Sequence, residues 1–139
     1  MALFKTDFPG LHLLHRGKVR DVYKVGGCLL IVATDRLSAF DVVLPTPITG
    51  KGCILTQMSL FWFEKLKDLA PNHLIQTDVN QFPKELKPFA KSLEGRSMLV
   101  KEANPLPIEC IVRGYISRAP AGKTISGQVL YAVSSYLKG

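Results

Sequence analysis

The chain has 139 residues, of which 47% are hydrophobic. This length and composition predict one folded unit with a hydrophobic core and exclude a disordered chain. The formal net charge of +7 favours anionic partners, either phosphorylated small molecules or nucleic acid. Residues 118–139 contribute three of the basic side chains and no acidic one, so the rest of the chain is only modestly basic and nucleic acid is not an expected partner.

Segments that would indicate a membrane, a secreted protein or a metal site are not found. No apolar run reaches the roughly 18 residues of a membrane helix, and residues 1–10 do not form a signal peptide. Cys28, Cys53 and Cys110 are odd in number and widely separated, so we interpret them as core thiols rather than disulfides or zinc ligands. We therefore expect a cytoplasmic protein without a membrane partner.

The first predicted element is a β-hairpin. Apolar residues from Val19 to Val25 lead to Gly26 and Gly27, and Cys28 to Ala33 is a continuous apolar run of strand length. The stretch 34–52 contains two prolines and two glycines and predicts a loop with a short strand.

One amphipathic helix is predicted next, starting near Leu55, continuing to Leu69 and stopped by Pro71. Its large apolar residues Met58, Phe61 and Trp62 are expected to face the core.

Short strand or turn pieces are predicted for 72–90, followed by strands at 97–101 and 108–115 joined by a proline-containing connector. The expected fold class is α+β, with an antiparallel sheet and a packed helix.

Two motifs suggest contacts to a phosphorylated ligand. The first, RGKVRDVY at 16–23, offers a glycine for close backbone approach and a lysine for phosphate oxygens, although an ordinary hairpin with solvated charges is an alternative. Arg20 and Asp21 are interpreted as a local ion pair of little energetic weight. The second, ATDRLSAFDV at 33–42, follows a buried strand and is either a ligand-binding cluster or a loop stabilised by capping side chains.

The third motif, LVKEANPLPIE at 99–109, places Lys101 at the end of a strand, before a connector whose backbone could pair with an adenine. Glu109 and Arg113 lie four residues apart on the next predicted strand and share a face, either as ligand groups or as a structural ion pair. The isolated histidines, His12, His15 and His73, are expected to be surface or core residues.

Four stretches, taken in order, resemble the phosphoribosylaminoimidazole-succinocarboxamide (SAICAR) synthase family. They are GKVRDVY at 17–23, ATDRLSAFDVVLP at 33–45, GKGCILTQMSLFWF at 50–63 and SMLVKEANPLPIECIVRGYIS at 97–117. The resemblance covers nearly all of 11–117 and implies an amino-terminal ATP-binding domain at 1–117.

This resemblance implies an ATP-grasp-like fold and a purine-biosynthesis ligase that joins L-aspartate to carboxyaminoimidazole ribonucleotide, with ATP and Mg²⁺. It also implies site roles. Gly17, Lys18 and Val19 would contact the ATP phosphates. The adenosine end would be held by Lys101, Glu102, Ala103 and Asn104. The substrate-side residues would be Ser38, Asp41, Glu109, Arg113 and Ser117. Catalytic residues and oligomeric state are not assigned, and no metal ligand is identified.

The resemblance stops after Ser117. One permitted choice of codons for 118–139, read in a shifted frame, encodes GSGWKDYLRTGSVCGIKLPEG, which is family sequence. We therefore predict a reading-frame shift that leaves 118–139 as an out-of-frame tail, which the nucleotide sequence around codon 117 tests. We also expect no synthase activity from this chain alone, with a stand-alone ATP-binding module as the alternative interpretation.

Overall fold

The computed structural model describes residues 2–104 and the backbone of two further short strands. The strands of the sequence are β1 (His12–Arg16), β2 (Arg20–Val25), β3 (Cys28–Ala33), β4 (Ser38–Ala39), β5 (Val42–Val43), β6 (Leu74–Gln76), β7 (Ser97–Lys101), β8 (Glu109–Ile111) and β9 (Ala132–Ser134). The helices are α1 (Lys51–Lys65) and α2 (Ala90–Leu93), with 3-10 helices at Val79–Gln81 and Lys84–Phe89.

Five strands form one antiparallel sheet in the order β1-β2-β3-β7-β6. The predicted hairpin is confirmed, since β2 and β3 pair around Gly26, whose φ of +56° is a conformation that favours glycine. The predicted strand at 97–101 is also confirmed and lies beside β3. The sheet and its packed helices confirm the α+β class.

The hydrophobic core lies on one face of this sheet. Tyr23, Leu30 and Val32 are buried there, because alternate residues of neighbouring strands point to the same side. Phe82, Leu86 and Leu93, from the 3-10 helices and α2, belong to the same cluster. Residues 72–90 thus form a short strand and two 3-10 helices, as the prolines in this range predict.

Helix α1 begins four residues before the predicted start and buries a different face. Gly52 and Thr56 are its buried residues, and a Cβ atom on Gly52 would lie 2.2 Å from the Ala33 carbonyl oxygen. The prediction that Met58, Phe61 and Trp62 face the core is wrong, because they are exposed by 54%, 58% and 48%, respectively. The small residues allow the helix backbone to approach the sheet closely. This close approach, rather than the hydrophobicity of the side chains, determines which face of the helix is buried.

The prediction of core thiols is correct only in part for Cys28 and Cys53, which are free thiols but partly exposed, and the side chain of Cys110 lies outside the described residues. In the part of the chain that the structure describes, no helix is long and apolar enough to cross a membrane.

A second compact unit begins at Asn104 and includes β8 and β9, which pair antiparallel. Strand β9 falls within the predicted out-of-frame tail, whereas the predicted boundary after Ser117 lies outside the described residues.

Candidate functional site

The loop between β1 and β2 contains Gly17, Lys18 and Val19. Its first amide is used internally, since Gly17 N–H donates to the Arg20 carbonyl at 2.8 Å. A Cβ atom at position 17 would lie 3.3 Å from that same oxygen, which is closer than a side chain comfortably allows. The glycine therefore fits a tightly closed loop.

All three loop carbonyl groups are held by the ATDR segment of the second motif. Arg36 donates from Nη2 to the Gly17 oxygen at 2.9 Å and from Nε to the Lys18 oxygen at 3.0 Å. Thr34 Oγ1 donates to the Val19 oxygen at 2.8 Å. Within residues 2–104, the amides of Lys18 and Val19 donate no hydrogen bond. Fixed carbonyls and unused amides, beside a lysine, form a backbone arrangement suited to an anion.

Asp21 anchors the arginine that holds this loop. Its carboxylate is fully buried and accepts hydrogen bonds from Arg36 Nη2 at 2.6 Å and from Thr6 Oγ1 at 2.5 Å. Burial alone would raise the pKa of Asp21, but the hydrogen bonds from Arg36 and Thr6 outweigh it and hold the pKa below its usual value. Arg16 also pairs with Asp21 at 3.3 Å. The expected weak Arg20–Asp21 pair is therefore wrong, because Asp21 points into the protein toward Arg36.

Asp35 joins three separate parts of the domain. Its carboxylate accepts from the Leu3 amide at 2.8 Å and from the Gly52 amide at 2.9 Å, and it pairs with Arg96 at 3.1 Å. Burial alone would raise the pKa of Asp35. The two backbone hydrogen bonds and Arg96 lower the pKa by more than burial raises it, so it lies below its usual value. The first half of the second motif is thus structural, which matches the alternative interpretation for that half.

The second half of the same motif is exposed. Ser38 and Asp41 lie in the β4–β5 hairpin, whose two turn residues, Phe40 and Asp41, have φ values of 47° and 67°. Phe40 is fully exposed. The Lys18 ammonium group forms an ion pair with Asp41 and lowers the pKa of that carboxyl. One predicted phosphate contact and one predicted substrate contact are therefore brought together.

The third motif lies at the opposite end of the sheet. Lys101, the last residue of β7, pairs with Cys28 at the start of β3, whereas the loop at 17–19 adjoins the other end. Five residue steps along β3 correspond to about 17 Å. Glu102 forms an ion pair with Lys24 of β2, and Ala103 and Asn104 are exposed. The structure does not bring the two predicted ATP-contacting sets together; it separates them along the strands.

Between these two ends, one face of the β2–β3 hairpin is partly open. Val22 and Lys24 on β2 and Leu29 and Ile31 on β3 pair across the strands and are each partly exposed. The opposite face carries the buried core. The open face is apolar in its centre and has Arg20 at one end and Lys24 at the other, since alternate residues of β2 share a face. A flat, apolar ring system joined to a phosphate chain suits such a face.

Three predicted substrate contacts cannot be placed in this geometry. Glu109 is described only as a backbone position of β8 opposite Ser134, and the predicted positions of Arg113 and Ser117 lie outside the described residues. Among the residues that the structure describes, no group of three or more His, Cys, Asp or Glu side chains could hold a metal ion. The sequence does not predict that Thr34 and Arg36 hold the carbonyls of the loop at 17–19, or that Asp21 anchors Arg36, because the interacting residues are distant in sequence.

Comparison with known proteins gives a consistent result. The sequence model of the family described as SAICAR synthetase matches residues 13–129, a range that continues beyond Ser117. The phosphoribosylaminoimidazole-succinocarboxamide synthase of Desulfosudis oleivorans is 66% identical over 116 residues, which are 84% of this chain and 40% of the relative. The same-named protein of Geobacter sulfurreducens is 62% identical over 83% of this chain and 39% of its own length.

A solved structure of SAICAR-synthase from Saccharomyces cerevisiae, complexed with SAICAR, superposes with a TM-score of 0.75 at 44% identity. The superposition covers 84% of this chain and 42% of the yeast chain. This chain thus spans about two fifths of the length of the relatives that it matches. Because the family model matches most of its length, the chain belongs to the SAICAR synthetase family.

Proposed function

We propose that this chain supplies the ATP-binding part of an ATP-dependent ligase that joins L-aspartate to carboxyaminoimidazole ribonucleotide and forms SAICAR in purine biosynthesis. The observation that carries the proposal is the loop at 17–19, whose carbonyls are fixed by Thr34 and Arg36 while the Lys18 and Val19 amides make no hydrogen bond within residues 2–104. The family name of the relatives supports the same reaction.

In this proposal, ATP lies along the open face of β2 and β3. The adenosine end contacts Lys101 and the connector of Glu102, Ala103 and Asn104, and the phosphates contact Gly17, Lys18 and Val19. The distance of about 17 Å between the two ends along β3 supports an extended nucleotide. An ATP-grasp-like arrangement, with ATP enclosed between this part and a larger part, is the finer fold assignment that we propose.

The proposed chemistry has two steps. An oxygen of the substrate carboxylate attacks the γ-phosphorus, ADP leaves, and an acyl phosphate forms. The aspartate amine then attacks the acyl carbon and phosphate leaves. Lys18 and the loop amides hold the negative charge of the transferring phosphoryl group in both the nucleotide and the transition state. Alignment of the reactants accounts for the remaining contribution of the site.

The substrate contacts in this proposal are Ser38 and Asp41 on the hairpin, and Glu109, Arg113 and Ser117 beyond the connector. Mg²⁺ would accompany the phosphates, but the described residues do not form a site for it, and we assign it no ligand. The partners are small molecules in the cytoplasm, without nucleic acid or membrane.

The proposal is tested by calorimetric titration of the purified chain with ATP. We expect Lys18→Ala to weaken ATP binding roughly tenfold or more, because a charge-assisted contact is lost. Lys67→Ala is the matched control, since Lys67 is exposed and pairs with Glu64 on α1. Equal ATP affinity of the Lys18→Ala and Lys67→Ala variants would contradict the assigned phosphate site.

A further inference from the structure

One face of α1 is apolar and exposed. Ile54, Met58, Phe61, Trp62 and Leu66, which we call the α1 stripe, are exposed by 59%, 54%, 58%, 48% and 42%. Their spacing of four, three, one and four residues places them on one side of the helix. Gly52 and Thr56, the buried residues of the helix, lie away from the stripe, where the helix meets the sheet. The helix therefore buries these two small residues, half-buries Leu55, Leu60 and Phe63, and leaves the stripe exposed.

The stripe is continuous rather than a set of isolated side chains. The rings of Phe61 and Trp62 contact edge to face, with centroids 5.4 Å apart. Lys65 Nζ, beside the stripe, lies 5.7 Å from the centroid of each ring, so its charge is held over aromatic surface. Glu64 and Lys67, beside the stripe, neutralise each other. Contiguous apolar surface of this kind marks a docking site, whereas singly exposed apolar residues do not.

We propose that the α1 stripe docks the carboxyl-terminal part that SAICAR synthases carry beyond the segment matched here. The matched segment is 40% of the Desulfosudis oleivorans relative and 42% of the yeast structure, so about three fifths of each relative lies outside it and is available to cover this face. The spacing of the stripe is that of a helix received by an apolar groove or by another helix. This inference rests on family membership and is independent of nucleotide binding.

A second copy of this chain fits the stripe less well. A 15-residue helix is about 22 Å long and about 10 Å wide, so two copies paired through α1 alone would bury far less than the roughly 800 Å² that each partner buries in a stable interface. A longer covering segment can instead lie along the whole stripe.

The proposal is tested by co-expressing the 139-residue chain with the tagged carboxyl-terminal part of the Desulfosudis oleivorans relative. We expect the two to co-purify one to one. Ile54→Glu and Met58→Glu should each reduce the co-purified amount at least tenfold, because they place a charge in the contact. Gln57→Glu is the matched control, being exposed on the same helix beside the stripe. All three variants should leave the thermal midpoint of the free chain nearly unchanged.

Residues 1–117 fused to the same carboxyl-terminal part provide a second measurement that does not require the fragment to fold alone. Ile54→Glu and Met58→Glu should lower the thermal midpoint of the fusion but not that of the free chain. Failure to co-purify together with unaltered midpoints in the fusion overturns the proposal. So does a dimer of the free chain, detected by light scattering, that Met58→Glu dissociates, because a second copy would then occupy the stripe.

Discussion

Asp21 and Arg36 form a buried ion pair that no local pattern in the sequence identifies. The two residues are fifteen positions apart, and Arg36 is 5% exposed at its side chain while Asp21 is not exposed. Both belong to motifs that the sequence singles out, but their roles in supporting the loop depend on long-range contacts. The adjacent sequence positions Arg20 and Asp21 suggest a different pair, which alternation along β2 prevents by placing the two side chains on opposite faces.

Removing the carboxylate of Asp21 should destabilise the domain strongly. In Asp21→Asn the Arg36 guanidinium keeps its burial but loses its counter-charge, and breaking such a pair costs about 3–5 kcal/mol of unfolding free energy. Asp68→Asn makes the same chemical change at an exposed position and should alter stability by less than about 0.5 kcal/mol. Urea unfolding of both variants measures the difference, and equal midpoints would disprove the structural role of Asp21.

The two buried aspartates also predict how stability depends on pH. The pKa values of Asp21 and Asp35 in the folded chain lie below the reference value of 3.8. Their contribution is therefore complete above that reference value and is lost as the pH falls through the folded pKa values. We expect the unfolding free energy to be nearly constant between about pH 7 and 5 and to fall below about pH 4. Asp21→Asn should show a shallower decline, and an unchanged slope would exclude Asp21 as a contributor.

At the scale of the elements, apolar runs and glycines predict the hairpin of β2 and β3 and the strand β7 correctly. The orientation of α1 could not be predicted in the same way. Periodicity shows that a helix has an apolar face, but it does not show which part of the protein that face contacts. Here the face against the sheet is selected by Gly52, where the backbone of the helix meets the Ala33 carbonyl.

Gly52→Ala should displace or destabilise α1. The added Cβ would lie 2.2 Å from the Ala33 oxygen and 2.9 Å from its carbon, both backbone atoms that cannot rotate away. We expect a loss of about 3 kcal/mol or more in unfolding free energy, as for severe overpacking. Gly27→Ala is the control, since a Cβ there meets no atom within 4 Å and its φ is not positive. Similar thermal midpoints for both variants would contradict the close contact.

For the whole molecule, the arrangement of the two predicted ligand-contacting sets at opposite ends of one sheet depends on strand register, which the sequence does not reveal. The three motifs could be identified from their residues, and the family from their order. The separation of the first and third motifs could not be predicted, because it follows from the antiparallel pairing of β7 with β3. The positions of Arg113 and Ser117 remain sequence-based predictions.

This separation predicts that the effect of Lys18 depends on the length of the ligand. In the proposed site, adenosine reaches only the connector end, so Lys18→Ala should leave adenosine affinity unchanged while weakening ATP binding roughly tenfold or more. Glu102→Gln, which removes the acidic partner of Lys24, should instead alter the affinities for adenosine and ATP by the same factor. Competition titrations with the two ligands measure both effects. Loss of adenosine binding in Lys18→Ala would show that the two ends are not independent.

The left-handed turn of Phe40 and Asp41 has a consequence for selection experiments. Asn-Gly is the sequence that such a two-residue turn favours, and two non-glycine residues in this conformation cost roughly 1–3 kcal/mol each. A directed-evolution screen for thermal tolerance should therefore enrich Asn at 40 and Gly at 41. The selected variants would lose the carboxylate that forms an ion pair with Lys18, so a screen for heat resistance and a screen for the proposed ATP binding should select different residues at these two positions.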